Sequence, residues 1–175
     1  MKLQYLALLI ATTLLAGCAT TDQSRNSTNQ AQQPKRERDA SDAIPIFTGN
    51  YTVTDSRRNR LKITSANLSV EDNIPVMRFK NAEGKAVLVM DANECAGDIK
   101  NKFSGMAYLY CAGKKPSYGG MPNIFSVSER KAGHAQKTGT SLFPDEMILK
   151  DGLLITIFLE GESALPGYLS VRREP

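Results

Sequence analysis

From about residue 44 to the C-terminus, apolar residues recur with period two far more often than with the 3.6-residue period of a helix. Alternation of this kind places one face of a strand on a core and the other in solvent. Tyr51-Thr-Val53-Thr, Leu61-Lys-Ile63-Thr, Leu68-Ser-Val70-Glu and Val76-Met-Arg-Phe79-Lys each predict a half-buried strand. Lys85 to Met90 and Leu153 to Leu159 are nearly continuous apolar runs, the pattern of strands covered on both faces. Further strands are predicted at Met106 to Cys111, Ile124 to Ser128, Glu146 to Lys150 and Tyr168 to Arg172.

The punctuation between these runs agrees. Asn81-Ala-Glu-Gly84 carries turn chemistry, and Asp151-Gly152 between two apolar runs is the strongest hairpin signal in the chain. Helix is expected at one place at most, Ala92 to Lys102, where Asn93 can cap a turn and Ile99 and Phe103 fall on one face, although Gly97 weakens it. The predicted fold class is therefore all-β: a small antiparallel barrel or sandwich of about 8 to 10 short strands in a single domain over residues 44–175.

The pattern stops abruptly upstream. Residues 19–43 contain no Leu, Ile, Val, Phe, Tyr or Met, so they cannot bury enough apolar area to offset their conformational entropy. They are expected to form a disordered tether with a root-mean-square span of roughly 25–30 Å. Ahead of them, Lys2 precedes an apolar run from Leu3 to Leu15 that closes on Ala16 and Gly17. That is the layout of an export signal, and the run is shorter than the about 20 residues needed to span a bilayer.

Leu15-Ala16-Gly17-Cys18 resembles the lipobox of bacterial lipoproteins. The resemblance implies cleavage after residue 17, acylation of Cys18 by diacylglycerol and a fatty acid such as palmitate, and anchoring by more than one chain, which is stable where a single chain is marginal. Ala19 after the cysteine resembles the enterobacterial signal for the outer membrane, so the expected location is that membrane, facing either the periplasm or the cell surface. The alternative is an ordinary secretory signal ending near a cysteine.

An acylated Cys18 changes the cysteine arithmetic, because three cysteines then leave Cys95 and Cys111 as a pair. In an oxidising periplasm these are expected to form a disulfide. The rival is a two-cysteine metal site, but the only histidine is His134 and no CxxC spacing occurs, so neither a metal nor another cofactor is expected. Of 22 basic residues the signal removes Lys2, leaving 21 against 18 acidic ones. A balance of +3 does not call for nucleic acid as a partner, yet tolerates anionic lipid or wall polymers.

Catalytic chemistry finds little support in the sequence. His134 lies in a polar stretch between Gly133 and Gly139, and no G-x-S-x-G, Walker or H-E-x-x-H pattern occurs. The expectation is a non-enzyme, with an envelope enzyme as a disfavoured alternative. Ser104-Gly105-x-x-Tyr108 resembles the S-G-x-x-Y signature of membrane-bound inhibitors of c-type lysozyme, which are small lipid-anchored, disulfide-containing β-barrels. On that resemblance Ser104 is the loop serine, Tyr108 the strand tyrosine behind it, and Lys114 or Lys115 the cation aimed at the enzyme's carboxylates. The chain departs from the family in its greater folded length and its lack of tryptophan.

The segment after Cys111 carries Lys114, Lys115, Tyr118 and the Gly119-Gly120 pair, and loops of this composition often hold binding residues on a rigid scaffold. A wide crossover between strands is the plainer account. Arg57, Arg58, Arg60 and Lys62 form a second basic cluster, suited either to an anionic partner or to protecting a strand edge. The functional expectation is a lipid-anchored β domain that binds an envelope component or a partner protein, with lysozyme inhibition as the alternative.

Overall fold

The computed structural model describes residues 40–101, 104–117, 119–160 and 165–175. Cys18, the expected export signal, most of the expected tether and Tyr118 lie outside the described residues. The compact unit Arg36–Pro175 holds a hydrophobic core and the disulfide within itself, the condition for folding in isolation.

The all-β expectation holds. Nine of the eleven strands found among the described residues form one antiparallel sheet in the order β4-β3-β2-β1-β11-β10-β7-β6-β5. These are β1 Gly49–Arg57, β2 Ser65–Glu71, β3 Ile74–Lys80 and β4 Ala86–Asp91 on one side. β5 Glu94–Asp98, β6 Tyr108–Ala112, β7 Ile124–Glu129, β10 Leu153–Phe158 and β11 Gly167–Arg173 make up the rest. β8 His134–Lys137 and β9 Glu146–Leu149 form a separate two-stranded ribbon.

The connection between the two edge strands explains the curl of the sheet. Laid flat, β4 and β5 would stand eight strand spacings apart, about 38 Å. Yet only Ala92 and Asn93 separate them, a step of roughly 10 Å from Asp91 to Glu94. The N–H of Ala92 still donates to Pro75 of β3, at 2.9 Å, while that of Asn93 already donates to Ala112 of β6, at 2.8 Å. The sheet must therefore bend round until its edges approach, and it forms a half-barrel.

The inner face of that curl is the core. Leu109, Val127, Ile155 and Leu169 are direct partners across β6, β7, β10 and β11, and all are buried. Leu68 opposite Met77 and Ala66 opposite Phe79 extend the same layer through β2 and β3. Cys95 lies directly opposite Cys111, and the two form a disulfide with their Cα atoms 4.2 Å apart.

A five-residue helix, α1 Ala43–Phe47, packs against β5 and β6 and contributes Ala43 and Phe47 to the core. So short a helix is not stable on propensity alone. Its C-terminal carbonyls are instead met by the rest of the fold. The Thr48 hydroxyl donates to Ile44, the buried Tyr51 hydroxyl to Phe47, and the Arg173 guanidinium to Ile46 (2.6 Å) and Thr48.

Several local expectations change. The predicted helix over Ala92 to Lys102 is a strand over Glu94–Asp98, because the register opposite β6 puts Cys95 on Cys111 and Gly97 on Leu109. The helix lies earlier, and Ala40 and Ala43, which composition assigns to the tether, are 3% and 0% exposed. Leu61 to Ile63 is a loop, clamped by the Asn59 side chain on both the N–H and the carbonyl of Ile63 at 2.8 Å. β4 is an edge strand with Val89 48% exposed, not a strand covered on both faces.

The Asp151-Gly152 turn exists, with Gly152 at φ +71°, but it joins strands of different sheets. β9 pairs with β8, and β10 pairs with β7 and β11. Met147 and Leu149 of β9 pack on Leu154 in a second small core, with Tyr168 against it. Leu154 and Tyr168 alternate with the inward Ile155 and Leu169, so the ribbon lies on the outer face of the half-barrel.

Candidate functional site

The outer face of β6 carries Tyr108 and Tyr110, because Leu109 and Cys111 between them turn into the core. Tyr108 stands opposite Ser128 and Tyr110 opposite Ser126, and Ser126 in turn stands opposite Thr156 of β10. Two phenol rings thus lie side by side next to short hydroxyl side chains, and the difference in height leaves a shallow groove in the sheet surface.

Two loops wall this groove. On one side the turn ahead of β6 presents Ser104 and Met106. Gly105 takes φ +68°, the Ser104 N–H donates to Asn101 Oδ1, and the Met106 N–H donates to Ser104 Oγ, both at 3.3 Å. The turn is fastened to β7 by the Ala107 N–H, which donates to Glu129 Oε2 at 3.0 Å. On the other side stand Arg130 and Lys131, which lead into the ribbon, and His134, its first residue. Arg130 is oriented by a 2.9 Å bond from its guanidinium to the Glu129 carbonyl.

The groove is open to solvent and offers about 830 Å³. Among its described lining residues are three nitrogen bases and no carboxylate. The rim carries the cations of Arg130 and Lys131, and the floor is aromatic and hydroxylated. Among the described residues no group of three His, Cys, Asp or Glu side chains is placed to hold a metal ion.

The ribbon that carries His134 is held to the sheet by charge as well as by its apolar face. Asp145 accepts from the Thr138 hydroxyl at 2.9 Å and from Arg57 of β1 at 3.4 Å. The Thr138 hydrogen bond first, and then the Arg57 guanidinium, hold the Asp145 carboxyl below its ordinary range.

Of the residues singled out in the sequence, Ser104 and Tyr108 fall together in this groove. Lys114 and Lys115 do not. Ser104 precedes β6 and the lysines follow it, so the five residues of the strand, roughly 17 Å, separate them. Both lysines are exposed. The arrangement expected from the resemblance to lysozyme inhibitors, a serine and a lysine acting in one cleft, is not assembled around β6.

Tyr110, Ser126, Arg130 and Lys131 carry no site signal in the sequence, and the polar stretch around His134 gives it none either. The alternation Tyr108-Leu-Tyr110 and Ser126-Val-Ser128 in the sequence does show which residues share a face. It does not show that β6 and β7 are neighbours, nor that the β8–β9 ribbon folds back beside them. No family model, curated protein or solved structure matches this chain, so the groove is characterised by its own residues alone.

Proposed function

We propose that this chain is a lipid-anchored, non-catalytic binding module of the bacterial outer membrane whose groove takes an anionic saccharide of the envelope. The observation that carries the reading is the pairing of Tyr108 and Tyr110 on a hydroxyl floor with a rim of Arg130, Lys131 and His134, no carboxylate being among the described lining residues. A pyranose ring offers apolar C–H faces that stack on phenol rings, and hydroxyls that exchange hydrogen bonds with Ser126, Ser128 and Thr156. A carboxylate or phosphate on that sugar meets the cationic rim through charge-assisted bonds. The resemblance of residues 15–18 to a lipobox supports the location, since an acylated Cys18 would confine the domain to the surface where such polymers lie.

The test is titration of the Arg36–Pro175 unit with three probes, followed by amide chemical shifts. N-acetylmuramyl dipeptide supplies the carboxylate, a phosphorylated lipopolysaccharide core supplies the phosphate, and neutral chitobiose supplies neither. Saturable shifts at Tyr110, Ser126 and Arg130 with either anion, and much weaker ones with chitobiose, support the reading. Equal binding of chitobiose, or no response to either anion, overturns it. Inhibition of c-type lysozyme by the same unit would point to the alternative function. Retention of a Cys18→Ser chain in the membrane fraction would overturn the anchor.

A further inference from the structure

A second cavity lies where β1 ends, β10 ends and β11 begins, away from the groove and sharing no residue with it. It holds about 100 Å³; Leu61, Ile63, Ile157, Leu159 and Leu169 make the apolar part of its wall, and Asn59 and Arg60 stand in the polar part. Arg58 also lines it. The Arg58 Nη1 is shielded from solvent and has no hydrogen-bond partner among the described residues, the one buried side-chain nitrogen or oxygen in them of which this is true.

Arg58 is half-buried, and a guanidinium nitrogen shielded from solvent without an acceptor is costly. Buried polar groups are otherwise paired as a rule, so an unpaired guanidinium nitrogen beside a cavity with both polar and apolar walls marks the place of an acceptor that comes from outside. The neighbouring arginine shows the contrast, since Arg57 pairs with Asp55 at 2.8 Å and also reaches Asp145. Nor is the Arg58 segment slack. Arg58 and Lys62 both take the left-handed backbone, at φ 53° and 51°, and Asn59 ties the loop to Ile63 from both sides. A costly conformation held this firmly presents the cation in advance of binding.

We propose that this cavity binds a small amphipathic anion, a carboxylate or phosphate ester on a short hydrocarbon tail, with Arg58 receiving the charge and the leucine-isoleucine wall receiving the tail. The volume sets the length. An apolar cavity of about 150 Å³ takes benzene, so this one admits on the order of four or five carbons, and a longer chain must leave part of itself outside.

The experiment uses the Arg36–Pro175 unit and follows the amide signals of Ile63, Ile157 and Gly167. Pentanoate and butyl phosphate are the anionic probes, with pentan-1-ol lacking the charge and acetate and inorganic phosphate lacking the tail. Saturable shifts with pentanoate or butyl phosphate are expected, and the arm that binds more tightly identifies the headgroup. The three controls are expected to bind at least about tenfold more weakly. Arg58→Gln should weaken the anion by at least about tenfold, leave pentan-1-ol unchanged, and keep or raise the melting temperature without ligand, because it removes the unsatisfied nitrogen. No response to either anion at millimolar concentration overturns the proposal. So does pentan-1-ol binding as tightly as the anions, or an Arg58→Gln protein that binds the anion normally. A clear fall in the melting temperature of Arg58→Gln would make Arg58 a structural arginine, and would equally overturn it.

Discussion

Gly97 of β5 lies against Ala43 of α1 so closely that a Cβ built on the glycine would stand 2.6 Å from the Ala43 Cβ and 3.0 Å from the Tyr108 carbonyl oxygen. No pair of carbon atoms tolerates the first distance, so the helix docks on the half-barrel only because residue 97 has no side chain. Gly97→Ala should therefore cost about 1–3 kcal/mol by overpacking, read from urea midpoints. Ala43→Gly should cost about 1–2 kcal/mol alone through lost burial and helix propensity. In the double variant the two costs should sum to less than their separate values, because the second change opens the space the first one needs. Strict additivity would mean that α1 does not rest on Gly97.

The Cys95–Cys111 bond joins direct partners on β5 and β6, which puts it at the last strand of the sheet. An edge strand is bonded on one side only, so the crosslink matters most there. Replacing both cysteines with serine should lower stability by about 3 kcal/mol, the value expected for a loop of this length. Hydrogen exchange gives the more specific reading. Amides of β5 should lose protection first, while those of β10 and β11 in the interior of the sheet keep theirs.

Tyr51 is buried beneath α1 and donates its hydroxyl hydrogen to the Phe47 carbonyl. Burial pushes its phenol from 10.0 up to about 12, and the nearby Arg173 guanidinium only partly opposes the rise. A folded value above the unfolded one means that the neutral phenol stabilises the fold, fully so below pH 10. That contribution is lost as pH rises toward about 12. Tyr51→Phe should cost about 1–2 kcal/mol at neutral pH through the lost hydrogen bond. The gap between the two proteins should narrow between pH 10 and 12, and a constant gap would contradict the assignment.

Asp145 predicts the opposite limb. Its carboxyl is held low by the Thr138 hydroxyl and by Arg57, so its contribution is present above the ordinary carboxylate value and fades as pH falls through the lowered one. Asp145→Asn should remove that part of the acid dependence. Because the group is exposed, the effect should appear as local fraying of the β8–β9 ribbon in amide exchange, with little change in the global unfolding midpoint.

How far the sequence carries these conclusions depends on the range of the interaction involved. Period-two alternation locates β1, β2, β3, β6, β7 and β11, because the face a residue takes is a local property. The Asn81 to Gly84 hairpin is equally local, with the Asn81 side chain accepting from the N–H groups of both Glu83 and Lys85. What is missed depends on partners distant in the chain. Gly97 looks like a helix breaker and proves to be a contact point for a helix from elsewhere. Asp151-Gly152 specifies a reversal without specifying which strands it joins. His134 to Lys137 has too few apolar residues to signal a strand, and pairs only because Met147 and Leu149 draw β9 onto the sheet. The groove inherits both kinds of information, since Tyr108 and Tyr110 share a visible face while Arg130 and His134 arrive through the ribbon.

The Tyr110 ring is 40% exposed on the outer face, so truncation removes little core packing, and Tyr110→Ala should change stability by no more than about 0.5 kcal/mol. If the groove binds a saccharide, the same change should cost about 1–2 kcal/mol of affinity for N-acetylmuramyl dipeptide or the phosphorylated core through lost stacking. Arg130→Ala should lose affinity for the charged probes and leave the weak binding of chitobiose unaltered, because it supplies charge and not surface. Added salt should weaken binding to the wild type and have a smaller effect on Arg130→Ala. Lys114→Ala is the internal control. It lies at the far end of β6, so it should bind as the wild type does. A loss of affinity there equal to that of Arg130→Ala would show that general surface charge, and not the groove, attracts the ligand.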